Sequence, residues 1–178
     1  MLVGRRWWLG AALFVCGCAR SGGTVDLMPP FSDDTVVGQL SVRWTDSGET
    51  RATGGADGTR RRVEFRIQAE NLLSDRLYLR VRELRLIARD GTAVTSDADA
   101  ACALAPRATA VILTGSVWVP SADANAIRGF RVDPLVVPLS ERGRAFYREF
   151  LLRQRPDAAA QIDAELAAYA SAPPCGAS

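Results

Sequence analysis

Cys16, Cys18, Cys102 and Cys175 are the side chains with both nucleophilic and soft metal-binding character, because this 178-residue chain has no histidine and no lysine. Without histidine there is no Ser-His or Cys-His nucleophile pair, no imidazole acid or base and no imidazole metal ligand. Without lysine there is no P-loop lysine, no Schiff base and no Ser-Lys dyad. Most familiar hydrolase and transferase designs are closed to such a chain, so the expectation is that it is not an enzyme and carries no cofactor. What remains is thiol chemistry, carboxylates such as Asp46, Asp97 and Asp99, and the arginines, which make up all 22 basic residues.

The spacing of Cys16 and Cys18 suits a metal or redox pair, half of a disulfide, or a processing site. A metal or redox pair needs further ligands or a folded surrounding, and the neighbouring sequence offers neither. The stretch "MLVGRRWWLGAALFVCGC" runs from Arg5 and Arg6 through apolar Trp7 to Val15 and ends in small residues. A helix that spans a bilayer takes about 20 apolar residues. This run is roughly half as long, as in a removable signal peptide.

Its last four residues, Val15-Cys16-Gly17-Cys18, resemble the lipobox of bacterial lipoprotein precursors: an aliphatic residue, a small residue, Gly or Ala, then Cys. The resemblance implies that residues 1–17 are cut away, that Cys18 carries a diacylglycerol thioether, and that its new amino group is acylated, for instance with palmitate. Two or more acyl chains hold a protein stably on a membrane where one does not. Ala19, rather than Asp, after the lipidated residue implies the outer membrane, on its periplasmic face. "RRWWL" also resembles a twin-arginine export signal, although Gly4 precedes the pair and no later lysine follows; the plainer reading is a basic start that orients the signal. The export route stays open.

Removal of the signal leaves 20 of the 22 arginines against 20 acidic residues. Near-neutrality removes the charge argument for nucleic-acid binding. In an oxidising compartment Cys102 and Cys175 are expected to form a disulfide, with two separate thiols as the alternative. The bond would close a loop of about 74 residues, worth roughly 4 kcal/mol by loop entropy, and would tie down the C-terminal tail.

The elements that must position these groups read as follows. Residues 18–34 look like a lipidated tether. In 36–45, Leu40, Val42 and Trp44 alternate with polar residues at the period of a strand; 46–59 is polar and rich in Gly and Thr, a long loop. A clear strand places Val63, Phe65, Ile67 and Ala69 inward. Leu77, Leu79 and Val81 then share one face, and Leu84, Leu86 and Ala88 a face shifted by one residue, which a bulge near Arg82 and Glu83 would reconcile. A helix through Leu77, Val81, Leu84 and Ala88 competes, but the turn sequences on both flanks favour a strand. A short strand at 92–96, an acidic Ala-rich loop, a β-rich run interrupted at Gly115, and one or two strands around Pro134 and Pro138 complete a sandwich over 35–139. From 140 to 178 the pattern turns helical: Ser140 is an N-cap, Phe146, Tyr147, Phe150 and Leu151 form an apolar face, Pro156 breaks the chain, and Ile162, Leu166 and Tyr169 make a second stripe.

"AENLLSD", "IARDGTAV" and "LAPRAT" together resemble the small immunoglobulin-like accessory domains of bacterial surface proteins, with their Asn-x-x-Ser turn, Asp-x-x-Gly hairpin and Pro-Gly-x-Thr lead into a strand. Arg107 stands where that pattern has Gly. The resemblance implies a mainly β fold, an immunoglobulin-like β-sandwich, here with a C-terminal helical hairpin; such sandwiches host unrelated functions.

Three groups of residues compete as sites. Asp46-Ser47-Gly48 resembles the triplet of aspartic proteases, but Trp44-Thr45 before it and the polar loop after it depart from that pattern, so a strand-ending turn is expected. Asp97 and Asp99 lack the spacing and glycine of a calcium loop, and no metal site is expected. Arg76, Arg80, Arg82, Arg85 and Arg89 could gather on one sheet face and hold anionic glycan or lipid by paired contacts; the bland alternative is a solvated face that discourages edge pairing. Trp44, Trp118, Phe146 and Phe150 are expected in the core. The functional expectation is therefore a lipid-anchored, non-catalytic envelope protein that binds or assembles with an envelope partner, with anion binding by the Arg face as the alternative and a carboxylate-based hydrolase behind both.

Overall fold

A computed structural model describes residues 22–32, 34–52, 58–88, 91–96, 99–120 and 127–176. Cys16, Cys18, Arg89 and Asp97 lie outside them. The described chain forms, in order, β1 (Gly22–Leu27), β2 (Gly38–Ala52), β3 (Thr59–Asn71), β4 (Leu77–Ala88), β5 (Ala93–Ser96), β6 (Ala100–Leu104), β7 (Thr109–Pro120), β8 (Ile127–Pro138), α1 (Glu141–Gln154) and α2 (Ala159–Ala170). One sheet, A, runs β1-β2-β3-β7. In the other, B, β4 has β8 on one side and β5 and β6 in succession on the other, all antiparallel.

This is the mainly β, immunoglobulin-like sandwich with a helical hairpin that the sequence implied. β2, β3 and β7 stand as strands A, B and E of that architecture, and β4 and β8 as C and F. β6 departs from it by pairing with β4 in sheet B. Alternation sets the two inner faces: Leu40, Val42 and Trp44 with Val63, Phe65 and Ile67 from sheet A meet Leu77, Leu79, Leu84 and Leu86 from β4, all buried. β4 is a strand and not a helix, and its pairing with β8 slips between Val81 and Leu84. A slip of one residue turns every later side chain to the opposite face, which is how both halves of β4 keep their leucines inside.

One end of the outer face of sheet B is also buried. Tyr78 of β4 and Val137 of β8 pack against Tyr147 and Leu151 of α1 and Ile162, Leu166 and Tyr169 of α2. Burial of a leucine or isoleucine is worth roughly 1.5–3 kcal/mol, so this second layer contributes substantially to holding the hairpin down. Ser140 caps α1 as expected, its Oγ accepting from the Gly143 N–H at 3.1 Å. Gly143 is itself required: a Cβ there would lie 2.6 Å from the Pro138 carbonyl oxygen.

Several expectations need correction. The stretch expected as a tether, 18–34, contains β1, paired with β2 from Gly22↔Arg43 to Leu27↔Gly38, and Phe31 sits against Phe146 and Tyr147. The polar loop expected at 46–59 is shorter, because β2 continues through an irregularity after Asp46 and pairs again from Thr50↔Arg61 to Ala52↔Thr59. The Ala-rich loop before β7 holds β6. Gly115 does not interrupt β7; the Phe65 ring covers it at 2.6 Å from where a Cβ would stand. The segments around Pro134 form one strand, β8, with Pro134 on an edge strand opposite the β4 irregularity, where a missing N–H is tolerated. Of the four aromatics expected in the core, Trp44 is buried, Trp118 and Phe150 are half-buried, and Phe146 is 44% exposed beneath the Arg142 guanidinium.

Candidate functional site

Cys102 of β6 and Cys175 of the tail are joined in a disulfide, with Cα atoms 4.9 Å apart. The tail also adds to the sheet edge: the Ala103 N–H donates to the Pro173 carbonyl at 2.8 Å and the Cys175 N–H to the Ala103 carbonyl at 3.1 Å. The bond therefore fastens α2 and the chain end to β6, as the clamp expected from the sequence.

The arginines of β4 do not converge on one point. Arg76 and Arg85 are nine residues apart along the chain, about 30 Å in an extended strand. The Arg80 guanidinium forks onto Asp99, donating from Nε at 2.9 Å and from Nη2 at 2.7 Å, and this bond holds the Asp99 carboxyl below its ordinary value. Asp99 is thus committed to an ion pair. Arg85 pairs with Glu83, which Thr95 also contacts. Arg76 donates to the Ala170 carbonyl at the end of α2, 3.3 Å away, and with Asp75 and Arg144 borders an open hollow of about 350 Å³. Arg82 is exposed.

Asp46-Ser47-Gly48 builds the irregularity in β2. Asp46 accepts from the Gly48 N–H at 3.0 Å and pairs with Arg61 at 3.1 Å. Ser47 Oγ donates to the Arg62 carbonyl at 3.0 Å, and Gly48 takes a φ of +78°, a conformation that favours glycine. The triplet turns the backbone within a continuing hairpin instead of ending the strand.

A polar group inside the helical layer was missed from the sequence. Tyr78 stacks on Tyr169 with ring centroids 4.2 Å apart. The Tyr169 hydroxyl donates to Glu165, which also pairs with Arg155 at 3.1 Å. These contacts, the tyrosine bond first, hold the Glu165 carboxyl below its ordinary value. Burial, followed by Glu165, pushes the Tyr169 phenol well up. The carboxyl is shifted down and the phenols up, away from the range of an acid and base tuned near neutral pH, and the stacked rings join α2 to β4. The stacked Tyr78, one residue from core Leu77 and Leu79, was the signal available in the sequence.

Sheet A offers the other polar surface. Ser41 and Arg43 of β2 and Arg66 and Gln68 of β3 point away from the core and border an open hollow of about 240 Å³. Their strand positions were evident from alternation, but their convergence depended on the β2–β3 register. Among the described residues no three His, Cys, Asp or Glu gather as a metal site, and no helix is long and apolar enough to cross a membrane.

No protein-family model and no curated protein matches the chain. Among solved structures, it is similar to a DUF1425 family member from Shewanella sp. PV-4, at 15% identity and a TM-score of 0.22, over 66% of this chain and 89% of that one. It is also similar to the variable (V) domain of the AgI/II polypeptide BspA of Streptococcus agalactiae, at 13% identity and a TM-score of 0.24, over 66% of this chain and 72% of that one. Likeness of this size carries no functional inference, and the fold rests on the strand order and pairing given above.

Proposed function

We propose that this chain is a lipid-anchored, non-catalytic protein of the bacterial cell envelope that acts by binding or assembly at the periplasmic face of the outer membrane. The observation that carries this reading is the Val15-Cys16-Gly17-Cys18 sequence behind a short apolar run. The pairing of Cys102 with Cys175 supports it, since disulfides persist in oxidising compartments and the bond leaves Cys18 as the one cysteine of the mature chain free for acylation. A lipid anchor concentrates a module on one surface, so a weak affinity for an envelope partner suffices. The carboxylates favour binding over catalysis, because Asp46, Asp99 and Glu165 are each engaged by an arginine. The β4 arginines as an anion-binding face are a weaker reading, because Arg80 and Arg85 already have carboxylate partners. Metabolic labelling with palmitate tests the anchor: wild-type protein takes up label and Cys18→Ala does not. Label retained in the variant would remove the anchor from the proposal.

A further inference from the structure

We propose that Arg43 and Arg66, with Ser41 and Gln68, form a binding site for a phosphate-type oxyanion on the outer face of sheet A. In the β2–β3 ladder Arg43 lies directly opposite Arg66, and Ser41 directly opposite Gln68. Like charges facing each other across strands are destabilising. Several other arginines have carboxylate partners: Arg61 meets Asp46, Arg62 meets Glu49, Arg80 meets Asp99 and Arg148 meets Asp163. Arg85 also faces Arg131, with Glu83 paired to Arg85, and Arg51 faces Arg60 at the other end of the β2–β3 ladder. Neither Arg43 nor Arg66 has a carboxylate oxygen within 4.0 Å among the described residues. Glu64, the next outward residue along β3, faces Thr45 and Ser116 in the ladders instead. The hollow that Arg43 and Arg66 line is completed by Ser41 and Gln68, whose hydroxyl and side-chain amide are both able to donate to an anion oxygen.

The surroundings keep this position open. The helices pack on sheet B through Tyr78 and Val137, and on sheet A the Arg43 and Arg66 side chains are exposed. Gly22 stands beside Arg43 in β1, and a Cβ there would come within 3.3 Å of the Arg43 Cγ. Glycine at the strand start thus leaves room for the arginine stem. Two planar forks borne at opposed positions of adjacent strands match the several oxygens of a phosphate group better than a single point charge would. The hollow at Arg76 and Arg144 is less suited, because Asp75 borders it and Arg76 already donates to Ala170.

The phosphate could belong to a phospholipid headgroup or to a soluble phosphate compound. The row of Gly22, Arg43 and Arg66 lies where the chain leaves the sheet toward Cys18, four residues away and so at most about 14 Å. That proximity to lipid rests on the proposed anchor; the anion site does not.

The experiment uses the mature full chain in non-ionic detergent at low ionic strength and follows the backbone amide signals of residues 41–43 and 66–68 by NMR. One arm titrates sodium phosphate, with sodium chloride at equal ionic strength as control; the other titrates phosphatidylglycerol into the micelles. The expected result is a saturable shift confined to these residues in at least one phosphate arm, absent with chloride, and weakened at least tenfold in Arg43→Gln and Arg66→Gln. Both variants should keep the wild-type melting temperature or exceed it, since each removes a repulsion. A response to phosphatidylglycerol assigns the site to lipid, and a response to inorganic phosphate alone assigns it to a soluble compound. No saturable shift in either arm, an equal shift with chloride, or a response unchanged in folded Arg43→Gln would overturn the site. Because none of these outcomes depends on acylation of Cys18, failure here and failure of palmitate labelling are separate results.

Discussion

Asn71 is the buried polar residue of the described chain, 1% exposed, and it joins two turns that are far apart in sequence. Its amide nitrogen donates to the carbonyls of Asp75 at 2.8 Å and Ala105 at 2.9 Å, while its oxygen accepts from the Leu73 N–H at 2.9 Å. Truncation takes a hydrogen bond from each of the three partners, so Asn71→Ala should cost about 1–3 kcal/mol. Urea unfolding reads this as a lower midpoint at constant slope, and a loss below the error of that method would refute the role. Asn71→Asp should be no better, because a carboxylate would then face two carbonyl oxygens. At the other turn, Arg107 occupies the place where the accessory-domain pattern has Gly and adopts the glycine conformation regardless, with φ at +54°. Pro106 and Arg107 form the centre of a turn closed by the Ala108 N–H on the Ala105 carbonyl, and a positive φ at that second position is the type II geometry. Arg107→Gly should therefore stabilise the fold by about 1 kcal/mol, a rise in melting temperature of roughly 2–4 °C. The Asn-x-x-Ser turn was legible in sequence. The bond from Asn71 to Ala105 was not, because its acceptor is a main-chain carbonyl 34 residues away.

Among the elements, β3 and β4 were legible because alternation is enforced wherever one face of a strand is buried, and even the irregularity of β4 followed from a one-residue shift of its apolar positions. β1 and β6 were hidden for a physical reason. "GGTVDL" and "AACAL" have little intrinsic strand preference, and both are strands because a neighbouring strand or the disulfide-linked tail supplies their hydrogen bonds. Reduction of the Cys102–Cys175 bond, whose partners are 73 positions apart, should cost roughly 4 kcal/mol by loop entropy. Hydrogen exchange should localise the loss to β6 and α2; uniform acceleration over sheet A instead would contradict the clamp. The helical layer carries its own acid sensitivity. Glu165 has a folded-state pKa below its ordinary 4.5, so the stability it lends is present above that value and is lost as pH falls through the folded-state value. The melting temperature should drop along this acid limb, and Glu165→Gln should flatten it; an unchanged limb in the variant would assign the acid sensitivity to other carboxylates.

For the whole molecule, the short distance from Cys18 to β1 alters how the protein is pictured on a membrane. Where the sequence suggested a flexible tether reaching residue 34, β1 begins at Gly22, so an acylated Cys18 would hold the sandwich close against the headgroups instead of letting it roam. The fold class was legible because composition, alternation and turn residues agree with one another. The binding surface was less so, since the Arg43 and Arg66 side chains are brought together by register between strands and by no motif. The most direct test of the central claim is the intact mass of the mature protein extracted from membranes. The predicted result is a chain that begins at Cys18, carries the mass of a diacylglyceryl group and an amide-linked acyl chain, and shows Cys102 and Cys175 oxidised. A mature chain that begins at any other residue, or one at Cys18 without added acyl mass, would contradict it.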